Sequence, residues 1–118
     1  FNNGAPSFNQ PVGAPVGESR AYSAVSAYRI DPVAMTATEE WRFDYGQTIR
    51  SDICSSAYET PSGSMLINYA GAENRTKLRL VGLDAARQVA FDFEYDSRLP
   101  CISSWNAEPL RLDGLRID

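Results

Sequence analysis

Hydrophobic side chains recur at every second position along most of the chain from residue 39 onward. Trp41, Phe43 and Tyr45 share one parity, and the residues between them are charged. The same alternation returns in three later runs, whose apolar residues are Met65, Ile67 and Tyr69, then Leu78 and Leu80, then Val89, Phe91, Phe93 and Tyr95. A period of two is typical of strands with one buried face. The pattern therefore predicts an all-β protein.

Turn-forming residues separate these runs. Ser, Thr, Pro and Gly are frequent in residues 55–63, and further turns are expected at 71–74 and 84–87. A weaker strand is expected over 48–54. About seven or eight short antiparallel strands joined by such turns indicate a jelly-roll-like β-sandwich, with a small closed barrel as the alternative.

The apolar face of these strands is expected to form the core. The predicted core residues are Trp41, Phe43, Met65, Ile67, Leu78, Leu80, Val89, Phe91, Phe93, Leu110, Leu112, Leu115 and Ile117. Fully burying a side chain of this size contributes about 1.5–3 kcal/mol. On this interpretation, Phe91→Ala is expected to cost about 3–5 kcal/mol.

The first twenty residues differ in composition from the rest. Residues 1–20 are rich in Pro and Gly and are predicted to be an extended N-terminal arm, followed by a single β-sandwich domain over 21–118. Pro11 and Pro15 lack an N–H and share one parity of the arm, which suits a strand that pairs through its other edge only. The side chains expected to pack together from that arm are Phe8, Val12, Ala14 and Val16. They would pack on the chain's own sheet or on a neighbour's, and a disordered tail is the alternative.

The chain contains two cysteines, Cys54 and Cys101, which are too far apart in sequence for a CxxC motif. A disulfide between them is the simplest interpretation, and it predicts an oxidising location: secreted, periplasmic or on the cell surface. Closing a loop of this length stabilises a fold by about 4 kcal/mol in the chain-entropy model. Two buried free thiols are the alternative.

Several functional classes lack their usual residues in this sequence. The chain has no histidine, which removes His-based triads and His metal ligands, and no G-x-S-x-G motif. A net charge of -4 argues against nucleic-acid binding. No apolar run is long enough to span a membrane. These observations predict a protein that is not an enzyme and has no cofactor, although a hydrolase with paired carboxylates is not strictly excluded.

Aromatic and amide side chains beside the cysteines are the candidate ligand-binding residues. Trp105 and Asn106 lie in a predicted loop close to Cys101, and Tyr58 lies in the loop after Cys54. Aromatic rings stack on sugar faces while amides bond hydroxyl groups, so a glycan is the expected ligand. The alternative for Trp105 is that it plugs one end of the sandwich.

Three carboxylates occupy alternate positions of one predicted strand. Asp92, Glu94 and Asp96 would share a face and are a weak candidate for a Ca²⁺ site, since Ca²⁺ binds oxygen ligands. The favoured interpretation is a solvated strand face that basic side chains neutralise across strands, with Arg79, Arg87 and Arg98 as the candidates.

These features together predict a secreted, non-catalytic β-sandwich binding module with a glycan or protein partner. One alternative is a structural subunit of an extracellular assembly or filament, which would use its N-terminal arm for strand addition to a neighbour. A further alternative is a small inhibitor or immunity-type protein.

Overall fold

A computed structural model of the protein describes residues 1–6, 12–14, 17–97 and 104–110. The fold is all-β and antiparallel, as the alternation predicts, and the described residues form six strands where seven or eight were expected. The strands are β1 (Val25–Asp31), β2 (Thr36–Phe43), β3 (Ser56–Glu59), β4 (Met65–Gly71), β5 (Lys77–Leu83) and β6 (Val89–Asp96). Two short turns of helix interrupt them, a 3-10 turn (Tyr45–Gln47) and α1 (Ala72–Arg75).

The strands form two sheets. β1 and β2 are a hairpin, and β3, β4, β5 and β6 form a four-stranded sheet in chain order. The four-stranded sheet is thus a meander of hairpins, without the Greek-key connections that define a jelly roll. In the β1–β2 turn, the Asp31 carboxylate accepts hydrogen bonds from the backbone N–H groups of Val33 and Ala34, both at 2.9 Å.

Within the part of the chain that the structure describes, one hydrophobic core joins the two sheets in a sandwich-like arrangement. Its buried residues are Val25, Ile49, Ile67, Tyr69, Ala72, Val81 and Leu83, and Trp41, Phe43, Tyr45, Ala57 and Met65 pack against them. The guanidinium of Arg87, in the β5–β6 turn, lies 4.7 Å from the ring centroid of Trp41 on β2. Most of β1 and β2 beyond this junction is exposed.

The predicted core face of β6 is wrong. Val89, Phe91, Phe93 and Tyr95 are between 39% and 52% exposed. In register, Val81 pairs with Asp92, so the acidic side of β6 lies on the same face as the buried core of β5. An alternating pattern shows that the two faces differ but does not show which one is turned toward the core. Here the charged side of β6 is turned toward it, with Asp92 partly buried and Glu94 and Asp96 exposed.

The exposed aromatic rings of β6 still make local contacts. Phe91 lies opposite Gly82, and a Cβ at residue 82 would come within 2.1 Å of the Phe91 ring. Phe91 and Phe93 stack with ring centroids 5.3 Å apart. Leu110 is also exposed, at 73%, while the other predicted core residues Leu112, Leu115 and Ile117 lie outside the described residues.

The first residues of the chain pair with the segment that leads into β1. Asn2 and Ala24 exchange two backbone hydrogen bonds of 2.7 and 2.9 Å, and the Arg20 N–H donates to the Gly4 carbonyl at 2.8 Å. Gly4 has a φ of 81°, and a Cβ there would lie 2.5 Å from the Tyr22 carbonyl oxygen. Glycine is therefore required at this close approach.

The burial pattern lowers the expected cost of Phe91→Ala below that of a substitution in the buried core. Ile67 is fully buried, so Ile67→Ala is expected to lower the free energy of unfolding by about 3 kcal/mol through lost burial and a residual cavity. Phe91→Ala is expected to cost less than about 2 kcal/mol, because its ring is 39% exposed. Urea denaturation of both variants measures the difference. A larger loss for Phe91→Ala would contradict the placement of the core.

Candidate functional site

The weak strand predicted over residues 48–54 is not formed, and residues 49–53 instead run along the edge of the core as irregular backbone. Ile49 and Ser51 are buried. The Ser51 N–H donates to Ser23 Oγ at 2.8 Å, and Ser23 Oγ donates to the Ser51 carbonyl at 3.0 Å. Ser51 Oγ also accepts from the Gly71 N–H at 2.8 Å. These bonds hold the segment firmly, and Arg50, between the two buried residues, is exposed.

The α1 turn lies beside this segment. Glu73, Asn74 and Arg75 have φ values of 47°, 56° and 68°, three successive residues in the left-handed region. The Arg75 guanidinium donates two hydrogen bonds to the Asp52 carboxylate, from Nε at 3.1 Å and from Nη2 at 2.6 Å. These bonds from Arg75 lower the pKa of Asp52 below its ordinary value. Asp52 and Arg75 are more than twenty positions apart in the sequence, and these bonds hold them together in the fold.

Arg50 lies between two shallow depressions. One, of about 230 Å³, is lined by Arg50, Asp52, Gly71, Asn74 and Arg75. The other, of about 150 Å³, is lined by Thr48, Ile49, Arg50, Ala72, Glu73, Asn74, Arg79 and Glu94. No carboxylate of the described residues forms an ion pair with Arg50. We refer to Arg50, Asn74 and Arg75 as the Arg50 patch.

A second charged cluster lies on the core face of the four-stranded sheet. Arg79 donates to Asp92 twice, from Nε at 2.7 Å and from Nη2 at 2.6 Å, and its guanidinium lies 4.8 Å from the ring centroid of Tyr45. The Tyr45 hydroxyl donates to the same carboxylate. The Arg79 hydrogen bonds hold the pKa of Asp92 below its ordinary value, while the bond to Asp92 raises the pKa of Tyr45. The guanidinium, the carboxylate and the hydroxyl of this cluster are all hydrogen-bonded to one another. We therefore interpret the cluster as a stabilising feature of the fold.

The candidate Ca²⁺ strip is part of this neutralised face. Asp92 is bound by Arg79, and Lys77 Nζ lies 3.2 Å from Glu94 and 2.8 Å from Asp96. The basic partners are thus Arg79, as expected, and Lys77. Arg87, the second expected partner, instead pairs with Glu59 at 2.6 Å, and Arg98 lies outside the described residues.

Two of the three predicted ligand-binding residues, Tyr58 and Asn106, lie in contact. Asn106 Nδ2 donates to the Tyr58 hydroxyl at 2.9 Å. Trp105 is 72% exposed and so does not plug the sandwich. Whether these residues bind a ligand stays a prediction.

The disulfide and the N-terminal arm are only partly described. Cys54 is disulfide-bonded, and Cys101, its predicted partner, lies outside the described residues. Of the arm, Phe8 and Val16 also lie outside them. Val12 is fully exposed, so its expected packing onto an apolar surface is not seen, and Ala14 is half-buried.

Sequence reasoning did not find the Arg50 patch. The available signal was the alternation of Ile49 and Ser51 with Arg50 and Asp52, which marks a half-buried segment. The proximity of Arg75 comes only from the tertiary fold.

Comparison with known proteins identifies the family. The family model described as Arylsulfotransferase (ASST) matches residues 1–106, which is most of the chain. The chain therefore belongs to the arylsulfotransferase family. No curated protein matches the chain, and no solved structure matches it.

Membership in an enzyme family corrects the functional predictions. The non-catalytic binding module, the structural subunit and the inhibitor were wrong interpretations, and so were the carbohydrate-binding and self-assembly roles attached to them. The prediction that the protein is not an enzyme rested on missing His-based motifs. Those motifs identify acyl-transfer and metal-dependent catalysts, and their absence says nothing about the handling of a sulfo anion, for which arginine is suited. Among the described residues, no helix is long and apolar enough to cross a membrane.

The Arg79–Asp92 pair predicts how stability depends on pH. Because the folded-state pKa of Asp92 is lowered, the pair stabilises the fold above the ordinary Asp pKa of about 4, and this contribution is lost as the pH falls through the folded value. Asp92→Asn is expected to cost about 2 kcal/mol near neutral pH, since it leaves a largely buried guanidinium without its carboxylate. The difference from wild type should shrink in acid.

Urea denaturation across this pH range measures the effect. Asp96→Asn is the matched control, because Asp96 lies on the same strand but is 86% exposed, and little change is expected. Equal losses for the two variants would contradict a structural role for the Asp92 cluster.

Proposed function

We propose that this chain acts in sulfotransfer, moving a sulfo group to or from an aromatic compound. The observation that carries the proposal is the family match over residues 1–106. In this proposal the sulfo group binds at the Arg50 patch.

A sulfo group is a tetrahedral anion whose oxygens need several hydrogen-bond donors. Arginine offers planar, paired donors that remain charged at all working pH values, which suits sulfate-like and phosphate-like groups. Arg50 has no ion pair among the described residues, so its charge is available to a ligand. Arg75 uses Nε and Nη2 on Asp52, which leaves Nη1 outside that pair. The two side chains line one depression of about 230 Å³.

The same region offers a carboxylate. Overall, sulfotransfer breaks one S–O bond to the donor, forms one S–O bond to the acceptor, and removes a proton from the acceptor hydroxyl. Glu73 lines the depression of about 150 Å³ beside Arg50, and no cation of the described residues forms an ion pair with it. In this proposal Arg50 and Arg75 stabilise the charge on the sulfo oxygens, and Glu73 accepts the proton.

The disulfide at Cys54 supports a location outside the cytosol for this activity. Disulfides persist in oxidising surroundings. We therefore propose that the protein works outside the cytosol, in a secreted, periplasmic or cell-surface setting.

Removal of the Arg50 charge tests the function. With 4-nitrophenyl sulfate as donor and phenol as acceptor, the chain is expected to release 4-nitrophenolate and form phenyl sulfate. Arg50→Gln is expected to lower kcat/KM about a hundredfold, the scale for loss of one donor to a developing anion.

Arg29→Gln is the matched control, since it removes an exposed guanidinium from β1 that pairs with Glu40. This variant should retain wild-type activity. Absence of sulfotransfer by the wild-type chain would refute the function, and equal activity of Arg50→Gln and wild type would refute the site.

A further inference from the structure

A larger groove lies at the β3 edge of the four-stranded sheet, the edge opposite β6. Residues 104–110 run beside β3 there. It has a volume of about 610 Å³ and is lined by Tyr58, Glu59, Thr60, Pro61, Ser62, Glu108, Pro109 and Leu110. We refer to it as the Tyr58 groove. None of its lining residues belongs to the Arg50 patch.

Hydrogen bonds fix both walls of the groove. On one side, Asn106 Nδ2 donates to the Tyr58 hydroxyl at 2.9 Å and the Ala107 N–H donates to Ser56 Oγ at 3.3 Å. On the other side, the Thr60 N–H donates to the Ser64 carbonyl at 2.8 Å and closes the turn after β3. A groove held in this way is formed before a ligand arrives, which lowers the cost of binding.

The apolar part of the lining consists of flat or rigid groups. Tyr58 presents an aromatic ring, Pro61 and Pro109 present rigid rings, and Leu110 is 73% exposed. Aromatic ligands pack well against such surfaces, and the Tyr58 ring can also attract a cation over its face.

Two carboxylates line the groove, and among the described residues only one of them has a cationic partner. Glu59 pairs with Arg87 Nη2 at 2.6 Å. No cation of the described residues pairs with Glu108, whose side chain only accepts a long hydrogen bond from Asn106 Nδ2, at 3.4 Å. An apolar groove with one uncompensated carboxylate favours a ligand that combines an apolar ring with a positive charge, and disfavours aromatic anions.

We propose that the Tyr58 groove binds small aromatic molecules that carry a protonated amine. The ring lies against Tyr58 and the two prolines, and the ammonium group pairs with the Glu108 carboxylate. This inference rests on the geometry and charge of the groove and does not depend on sulfotransfer at the Arg50 patch.

A titration followed by ¹H–¹⁵N NMR tests the inference with the whole chain. Near neutral pH, 2-phenylethylamine is expected to shift the amide signals of residues 58–62 and 104–110, apart from Pro61 and Pro109, which have no N–H. The aromatic anion 3-phenylpropionate and the aliphatic amine butylamine are expected to bind more weakly, because each lacks one of the two features.

Two Glu→Gln variants, which keep the size of the side chain and remove its charge, test the role of the Glu108 carboxylate. Glu108→Gln is expected to weaken 2-phenylethylamine binding about two- to fivefold, the range for an exposed ion pair. Glu18→Gln, at an exposed position outside the groove, should leave binding unchanged. The inference is overturned if the amine and the carboxylate bind equally well, if the shifts fall outside the groove, or if Glu108→Gln binds as wild type does.

Discussion

The paired hydrogen bonds between Arg79 and Asp92 allow a carboxylate of β6 to lie on the core side of the four-stranded sheet. Without this partner, a carboxylate on the core side of β6 would lose its hydration with no compensation. With Arg79 and Tyr45 both bound to it, the acidic side of the strand can lie against the core. The opposite side, with its aromatic rings, is then left facing outward, where Phe91 stacks on Phe93 and covers Gly82.

The basic site arises from a second set of polar contacts. Ser51 is fully buried, and its backbone and hydroxyl bond to Ser23 and to the Gly71 N–H. Buried polar groups of this kind must be paired, so these bonds leave the segment little freedom. The exposed side chain of Arg50 is consequently presented beside Arg75. The same packing that satisfies the serines thus brings two guanidinium groups to one depression.

The two sites that we propose carry opposite charge. We expect the Arg50 patch to favour anions such as a sulfo group. We expect the Tyr58 groove to favour cations, because the Glu108 carboxylate has no cationic partner among the described residues. A single ligand type cannot suit both. Because the depressions are shallow, charge and the few fixed hydrogen bonds are expected to contribute more to selectivity than shape does.

The sequence by itself determined the class of fold and part of one site. Alternation at period two and regular turns are local properties, and they predicted an antiparallel all-β chain. The expected disulfide between Cys54 and Cys101 predicted that Tyr58 lies near the loop of Trp105 and Asn106. Only the tertiary structure decided that Phe91 faces outward, because alternation separates two faces without saying which one another element covers. It also decided that Arg50 and Arg75 line one depression, since this depends on the packing of residues 49–53 beside the β4–β5 turn. No local pattern in the sequence brings together side chains so far apart along the chain.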